Sequence, residues 1–348
     1  MTSRFLESLG VALPIIQAPM AGVQDSRLAI AVSQAGGLGS LPCAMLSAET
    51  LRTELEALKH TGKPYNVNFF THPPPSADAT REARWRELLA PYYSEYGIDP
   101  APKPAAPSRA PFGDAAADLL EEFRPPVVSF HFGLPSAALL ARVRSLGSKI
   151  LGCATTVAEA LWLEQRGVDA IVAQGLEAGG HRGIFLSEDL ATQMGTFALV
   201  AQMARAVRVP VIAAGAIADA AGVKAARVLG AAGAQVGTAY LLCPEATTSA
   251  VHRAALDSEA AASTAVTNLF SGRPARGIVN RLMRELGALN AAAPAFPLAS
   301  GALAPLRARA ESLGKGDFSS LWCGQNPSGC RKIPAAALTR ALTERLEA

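Results

Sequence analysis

The chain has little charge, few cysteines and no long apolar segment. Charged residues make up 18% of its 348 residues, the net charge is +3, and lysine and arginine form no runs, so nothing predicts binding to nucleic acid. The five cysteines form no Cys-x-x-Cys pair, which argues against a disulfide framework and against a metal site. No apolar segment approaches the roughly 20 residues that span a bilayer, and the first residues lack the apolar core of a signal peptide. We therefore expect a cytosolic protein that binds a small molecule and no membrane.

Short apolar runs are what the sequence has in abundance. Half of the residues are hydrophobic, and stretches rich in Ala and Leu at helical spacing separate the runs. The runs predict strands at 15–17, 37–40, 65–69, 127–130, 149–152, 170–173, 211–213 and 235–237. Short apolar strands that alternate with helices indicate a parallel sheet buried on both faces. Eight such units favour an α/β fold closed into a (β/α)8 TIM barrel over an open doubly wound sheet.

Two segments interrupt the alternation. Residues 72–126 are too rich in proline for one regular crossover, so they predict an insertion around one or two short helices. After Glu245 the pattern predicts helices without strands as far as residue 313. We therefore predict three parts: a barrel over 1–244 with the insertion, a mainly helical cap over 245–333, and a last helix over 334–348 that packs back on the barrel.

The unusual residues fall at the carboxyl ends of the predicted strands, where the active site of a TIM barrel is built. The stretch Ala-Gln-Gly-Leu-Glu-Ala-Gly-Gly-His-Arg-Gly at 173–183 delivers His181 among glycines that let backbone amides approach a ligand. The loops after strands seven and eight carry Gly215, Gly237 and Thr238, where barrels commonly bind a phosphate. No Walker or Gly-x-Gly-x-x-Gly spacing occurs, so the phosphate is expected to belong to a cofactor lying across the barrel mouth.

Several of these residues also have an ordinary structural explanation. His131 ends an apolar strand, a position that without the family match is more typical of a buried core histidine than of a functional one. Met20 is, from composition alone, more typical of core packing than of a cofactor contact. The cap residues Arg273, Arg276 and Lys315 could steer anions towards the barrel mouth, or could be solvated like most scattered charges.

Together the motifs resemble the nitronate monooxygenase family, formerly called 2-nitropropane dioxygenases. The matching motifs are Gln-Ala-Pro-Met-Ala-Gly at 17–22, Asn-Val-Asn-Phe-Phe at 66–70, Ser-Phe-His-Phe-Gly at 129–133, the loop at 174–183, Gly-Ala-Ile-Ala-Asp at 215–219, Val-Gly-Thr-Ala-Tyr at 236–240 and Leu-Trp-Cys-Gly-Gln at 321–325. They cover nearly the whole chain in order. The combination of Ser-Phe-His-Phe-Gly with Glu-Ala-Gly-Gly-His is specific to the class I branch of that family.

The resemblance implies non-covalently bound FMN and the oxidation of alkyl nitronates of the propionate 3-nitronate type by O2, through a flavin semiquinone. Detoxification of such a nitronate is the physiological role that it suggests. His181 and His131 match the histidines near the flavin, His181 being the catalytic one. The residues that the resemblance assigns to FMN are Ala18, Met20, Asn68, Gln174, Gly179, Gly180, Gly215, Gly237, Thr238 and Gln325. The resemblance leaves the choice between a monomer and a homodimer open.

Three other functions remain compatible with these residues. An FMN-dependent NAD(P)H:quinone reductase or enoyl reductase would share the glycine loops and the histidine of the sixth loop. A lyase or isomerase acting on a sugar phosphate would use the phosphate site for its substrate instead of a cofactor. A flavin-binding protein without turnover would be yellow but inert.

Overall fold

The structure, a computed structural model, describes residues 4–76, 78–99 and 109–344. The strands are β1 (Ile15–Gln17), β2 (Gly39–Pro42), β3 (Tyr65–Phe70), β4 (Val127–His131), β5 (Lys149–Ala154), β6 (Ala170–Gln174), β7 (Gly180–His181), β8 (Val211–Ala214), β9 (Gly233–Val236), β10 (Thr264–Thr267) and β11 (Ala275–Ile278). The α-helices are α1 (Arg4–Ser8), α2 (Ser26–Gln34), α3 (Ala48–His60), α4 (Ala79–Glu95), α5 (Asp114–Phe123), α6 (Ala137–Ser145), α7 (Val157–Gln165), α8 (Thr196–Ala206), α9 (Ala220–Val228), α10 (Ala250–Leu256), α11 (Arg281–Leu286), α12 (Ala299–Ser312) and α13 (Ala335–Ala341). None of these described helices is long and apolar enough to cross a bilayer.

Eight of the strands form a closed parallel barrel, which confirms the predicted TIM barrel. Their order around the barrel is β1, β9, β8, β6, β5, β4, β3, β2. Leu38 closes the ring between β1 and β2, because its N–H donates to the oxygen of Ile15 and its oxygen accepts from the N–H of Gln17, both at 2.9 Å. Leu38 bridges to β1, whereas residues 39–42 pair with β3. For this reason β2 begins two residues later than predicted.

Alternation along the strands divides the core into an inner and an outer layer. The inner layer fills the barrel, and α1 covers its amino-terminal end with Leu6. The inner side chains include Ile16, Leu38, Val127, Leu151, Val172 and Ile212. The outer layer joins the strands to the surrounding helices and includes Leu55, Val67, Phe130, Leu163 and Ile171. Because the inner layer packs the barrel solidly, space for a ligand remains at the carboxyl ends of the strands.

The segment 72–126 divides between two cores. Helix α5 packs against α3 and α6, so it takes the usual place of a helix between β3 and β4. Helix α4 instead packs against α12, where Trp85 and Leu89 join Leu303 and Leu306 in a second hydrophobic core. The insertion therefore contributes α5 to the barrel and α4 to the second hydrophobic core.

The prediction of a cap without strands is wrong. Strands β10 and β11 form an antiparallel pair, and β11 continues the pairing to β7, with Ala275 opposite His181 and Arg276 opposite Gly180. Each of these strands has four residues or fewer, and β11 finds its partner about a hundred positions away, so no local periodicity reveals it. After this region α13 returns to the barrel and packs against α2.

Candidate active site

A cleft of about 1200 Å³, open to solvent, lies across the carboxyl ends of the barrel strands. Because side chains alternate between the two faces of a strand, the last inward-facing residues of β3, β4 and β6 point into the cleft. These residues are Phe70, His131 and Gln174. The predicted site residues that line the cleft are Ala18, Met20, Asn68, His131, Gln174, Gly179, Gly180, His181, Gly215, Gly237 and Thr238. Gln325 is exposed outside the lining, although its neighbours Gly324 and Asn326 belong to it.

One end of the cleft, the amide end, is built from the backbone of Gly179, Gly215, Gly237 and Thr238. The N–H groups of Gly215 and Gly237 have no hydrogen-bond acceptor among the described residues. Gly215 has φ +122°, a backbone conformation that residues with a side chain rarely adopt. A Cβ on Gly179 would lie 2.6 Å from the backbone nitrogen of Gly324, so only glycine allows the two loops to meet. Unpaired backbone donors of this kind suit an anionic oxygen.

A buried amide network fixes the first loop of the cleft. The Gln17 side chain donates from Nε2 to Oε1 of Gln24 at 2.7 Å, and this oxygen also accepts from the N–H of Met20 at 2.9 Å. The N–H of Ser40 donates to Oε1 of Gln17 at 3.0 Å, and Nε2 of Gln24 donates to the oxygen of Ser40 at 2.7 Å. Gln17 is therefore a satisfied structural amide that holds the segment from Ala18 to Met20 in place.

The other end of the cleft, the histidine end, is built from side chains that Gln174 helps to position. Nε2 of Gln174 donates to the backbone oxygen of His181 at 2.9 Å, and its Oε1 accepts from the N–H of Gly183 at 2.7 Å. Nε2 of His131 lies 3.2 Å from the same oxygen of His181. The two predicted histidines thus meet at the end of β6, with the backbone of one bound to the ring of the other.

Ser271, from the loop before β11, orients the ring of His181. Nε2 of His181 lies 2.8 Å from Oγ of Ser271. The same hydroxyl oxygen lies 3.3 Å from the backbone oxygen of Arg273 and accepts from the backbone N–H of Arg273 at 3.4 Å. The hydroxyl can therefore donate to the imidazole or accept from it, and in either case the contact fixes the position of the ring.

Burial and neighbouring cations keep both histidines neutral. Burial is the main cause that lowers the pKa of His181 well below 6.5, and the guanidinium of Arg109 is the first charge that acts in the same direction. Burial likewise lowers the pKa of His131 to about 4. Aromatic rings supply this environment: the Phe296 ring lies 5.4 Å from that of His181, and the Phe132 ring lies 4.5 Å from that of His131. At neutral pH both imidazoles are therefore in the neutral form, in which one ring nitrogen carries a lone pair.

Sequence reasoning missed several residues of the cleft. They are Phe70, Arg109, His252, Trp322 and Asn326. Trp322 lies within the motif at 321–325, which could have pointed to it. Arg109 and His252 are isolated in segments without a recognisable pattern, and only the fold brings them to the cleft.

The cap cations that were candidates for steering anions have other contacts. Arg276 donates to the backbone oxygen of Leu176 at 2.9 Å and ties β11 to the loop after β6. Arg273 stacks on the ring of Phe132 at 4.1 Å and donates to the backbone oxygen of Ile184. Neither belongs to the cleft lining among the described residues.

Comparison with known proteins shows which family the chain belongs to. The family model for nitronate monooxygenase matches residues 2–345. The chain is 43% identical over 349 residues to a nitronate monooxygenase of Pseudomonas aeruginosa, covering 99% of both chains. It is 44% identical to a nitronate monooxygenase of Paraburkholderia phytofirmans, covering 98% of this chain and 94% of that one. Among solved structures it resembles nitroalkane oxidase from Streptomyces ansochromogenes, with a TM-score of 0.89, 38% identity, and coverage of 98% and 97% of the two chains.

Proposed function

The chain belongs to the nitronate monooxygenase family, a family of oxidoreductases, and from this we propose that it oxidises alkyl nitronates of the propionate 3-nitronate type with O2, using FMN. One observation carries the proposal: a single cleft joins unpaired backbone amides to two neutral histidines. The described residues that line it include no aspartate or glutamate, so the cleft suits an anionic cofactor and an anionic substrate.

The amide end fits the phosphate of FMN. The free N–H groups of Gly215 and Gly237 supply donors, and the glycine backbones leave room for a phosphate to approach closely. The flavin ring would then lie along the segment from Ala18 to Met20 and beside Asn68, whose amide donates to Oγ of Ser129 at 2.9 Å and is held in place. When bound, FMN supplies the redox chemistry, and the protein supplies position and surroundings.

The histidine end binds the substrate and handles its proton. A nitronate is already a carbanion equivalent and needs no base. A neutral nitroalkane must first lose its α-proton, and the neutral imidazole of His181 is the group that accepts it in this proposal. The rings of Phe70, Phe296 and Trp322 pack around His181 and make this part of the cleft apolar.

The proposal is tested by purifying the protein and measuring both its flavin content and its oxygen uptake with propionate 3-nitronate. We expect a yellow protein with about one FMN per chain and oxygen uptake that depends on the nitronate. A colourless protein that cannot be reconstituted with FMN would contradict the proposal and favour a lyase or isomerase that uses the phosphate site for its substrate.

A further inference from the structure

One cation of the cleft has no part in the function described so far. We propose that Arg109 determines substrate specificity by binding a carboxylate at the end of the substrate opposite the nitronate group. This role rests on the proposed function, and it makes carboxylate-bearing nitronates the preferred substrates over nitronates that end in an alkyl group.

Arg109 is placed at the histidine end by the connection between β3 and β4. It lines the same cleft as His131 and His181, and it is only partly exposed. Its guanidinium lies over the ring of Phe296, 5.8 Å from the ring centroid. Because the same ring contacts His181 at 5.4 Å, Phe296 forms an apolar floor between the guanidinium and the imidazole.

Arg109 has no counter-ion among the residues that the structure describes. Burial lowers the pKa of Arg109, and the second cause is another cation, Arg307, which acts in the same direction. Burying part of a guanidinium without a nearby anion lowers the stability of the protein, unless a bound ligand supplies the anion. The described cleft lining offers no carboxylate, so the anion has to come from the ligand.

The nearby Arg273 has contacts that Arg109 lacks, although its Nε atom is buried without a hydrogen-bond partner among the described residues. It stacks on Phe132 at 4.1 Å, donates to the backbone oxygen of Ile184, and has Glu188 and Glu159 acting on its pKa in the raising direction. Within the part of the chain that the structure describes, Arg109 has the stacking contact but no hydrogen-bond acceptor, and no acidic residue acts on its pKa. The phosphate of FMN does not supply the missing anion, because its proposed amides lie at the other end of the cleft.

A ligand that satisfies both groups has two polar ends and a short hydrocarbon chain. Its nitronate lies beside His181 near the flavin, its chain lies along Phe296, and its carboxylate pairs with the guanidinium of Arg109. Arginine binds a carboxylate through two parallel hydrogen bonds, which gives direction as well as affinity. The geometry therefore favours a nitronate with a carboxylate at its far end.

The test compares propionate 3-nitronate with propyl nitronate, which has the same number of carbons and a methyl group in place of the carboxylate. For the wild type we expect kcat/KM for the carboxylate substrate to be at least about 10-fold higher. In Arg109→Met we expect kcat/KM to fall about 100-fold for propionate 3-nitronate, through KM, and less than about 3-fold for propyl nitronate. Arg109→Lys should retain part of the preference. Arg84→Met, on the exposed face of α4, is the matched control and should change neither value.

The possible outcomes separate this inference from the function on which it rests. A wild type that oxidises neither nitronate overturns the proposed function. A wild type that oxidises both with equal kcat/KM overturns the role of Arg109 alone, and so does an equal loss on both substrates in Arg109→Met. A further test uses the wild type alone. Propionate should inhibit the oxidation of propyl nitronate competitively, and the neutral propionamide should not. Equal inhibition by the two compounds would also overturn the inference.

Discussion

The two ends of the cleft are built in different ways. The amide end consists of backbone from loops that each lie directly after a strand, with Gly215 after β8 and Gly237 after β9. The histidine end consists of side chains from distant segments, among them Arg109 and His131. The amide end is suited to one fixed group, a phosphate. The side chains of the histidine end can be matched to different substrates. We therefore expect the amide end to determine cofactor binding and the histidine end to determine turnover and specificity.

Replacing His181 gives the largest expected effect and tests the histidine end directly. In His181→Asn we expect kcat/KM for a neutral nitroalkane to fall about 1000-fold, because the base is lost. For the corresponding nitronate we expect a loss below about 10-fold, because no proton has to be removed. Oxygen uptake with both substrates measures the contrast, and flavin content should stay at the wild-type level. Equal losses on the two substrates would show that His181 is not the base.

Gly179→Val addresses the amide end. The added side chain would separate the loop of Gly179 from the backbone of Cys323 and Gly324, which a Cβ would approach to 2.7 and 2.6 Å. We expect the Kd for FMN, measured by fluorescence titration, to rise about 100-fold through the loss of well-placed donors. Gly301→Ala is the control, since a Cβ at that position meets nothing within 4 Å. Unchanged FMN affinity in Gly179→Val would show that the amide end does not bind the cofactor.

Arg182 holds the loop after β6 in place, and its replacement should reduce stability. Its buried guanidinium donates to the backbone oxygens of Gln174 at 2.8 Å and Gly175 at 2.7 Å, and to Oε1 of Gln193. Arg182→Met leaves these acceptors buried without a donor, so we expect the free energy of unfolding to fall by about 3 kcal/mol. Denaturant unfolding measures the change, with the exposed Arg205→Met as the control. A loss no larger than that of the control would contradict this role.

Acid should destabilise the protein through three buried histidines, with the smallest effect per residue. Burial lowers the pKa of His72, His131 and His252 to about 4, below the unfolded value near 6.5. The unfolded state therefore binds more protons between these values, so their stabilising contribution is complete above pH 6.5 and is lost progressively as the pH falls towards 4. At pH 5.5 each histidine should account for about 1 kcal/mol. Unfolding of His252→Gln should show a shallower pH dependence than the wild type, whereas His60→Gln, an exposed control, should not.

The sequence predicted the amide end better than the histidine end for a physical reason. Apolar runs that alternate with helices determine where the strands end, and the glycines that follow them in the chain are then brought to one face of the barrel. This local rule places Gly215, Gly237 and Thr238 in the cleft. Arg109 enters the cleft from the β3–β4 connection and His252 from α10, and neither position follows from a period in the chain. The β7–β11 pairing likewise depends on contacts about a hundred residues apart.

The central claim, that a nitronate and not NADH donates electrons to the flavin, is tested most directly by anaerobic mixing. The purified protein is mixed rapidly with propionate 3-nitronate and, separately, with NADH, while the flavin spectrum is followed. We predict a fast change of the spectrum with the nitronate and no bleaching with NADH. Bleaching by NADH without any response to the nitronate would contradict the proposal and identify the protein as a reductase built on the same barrel.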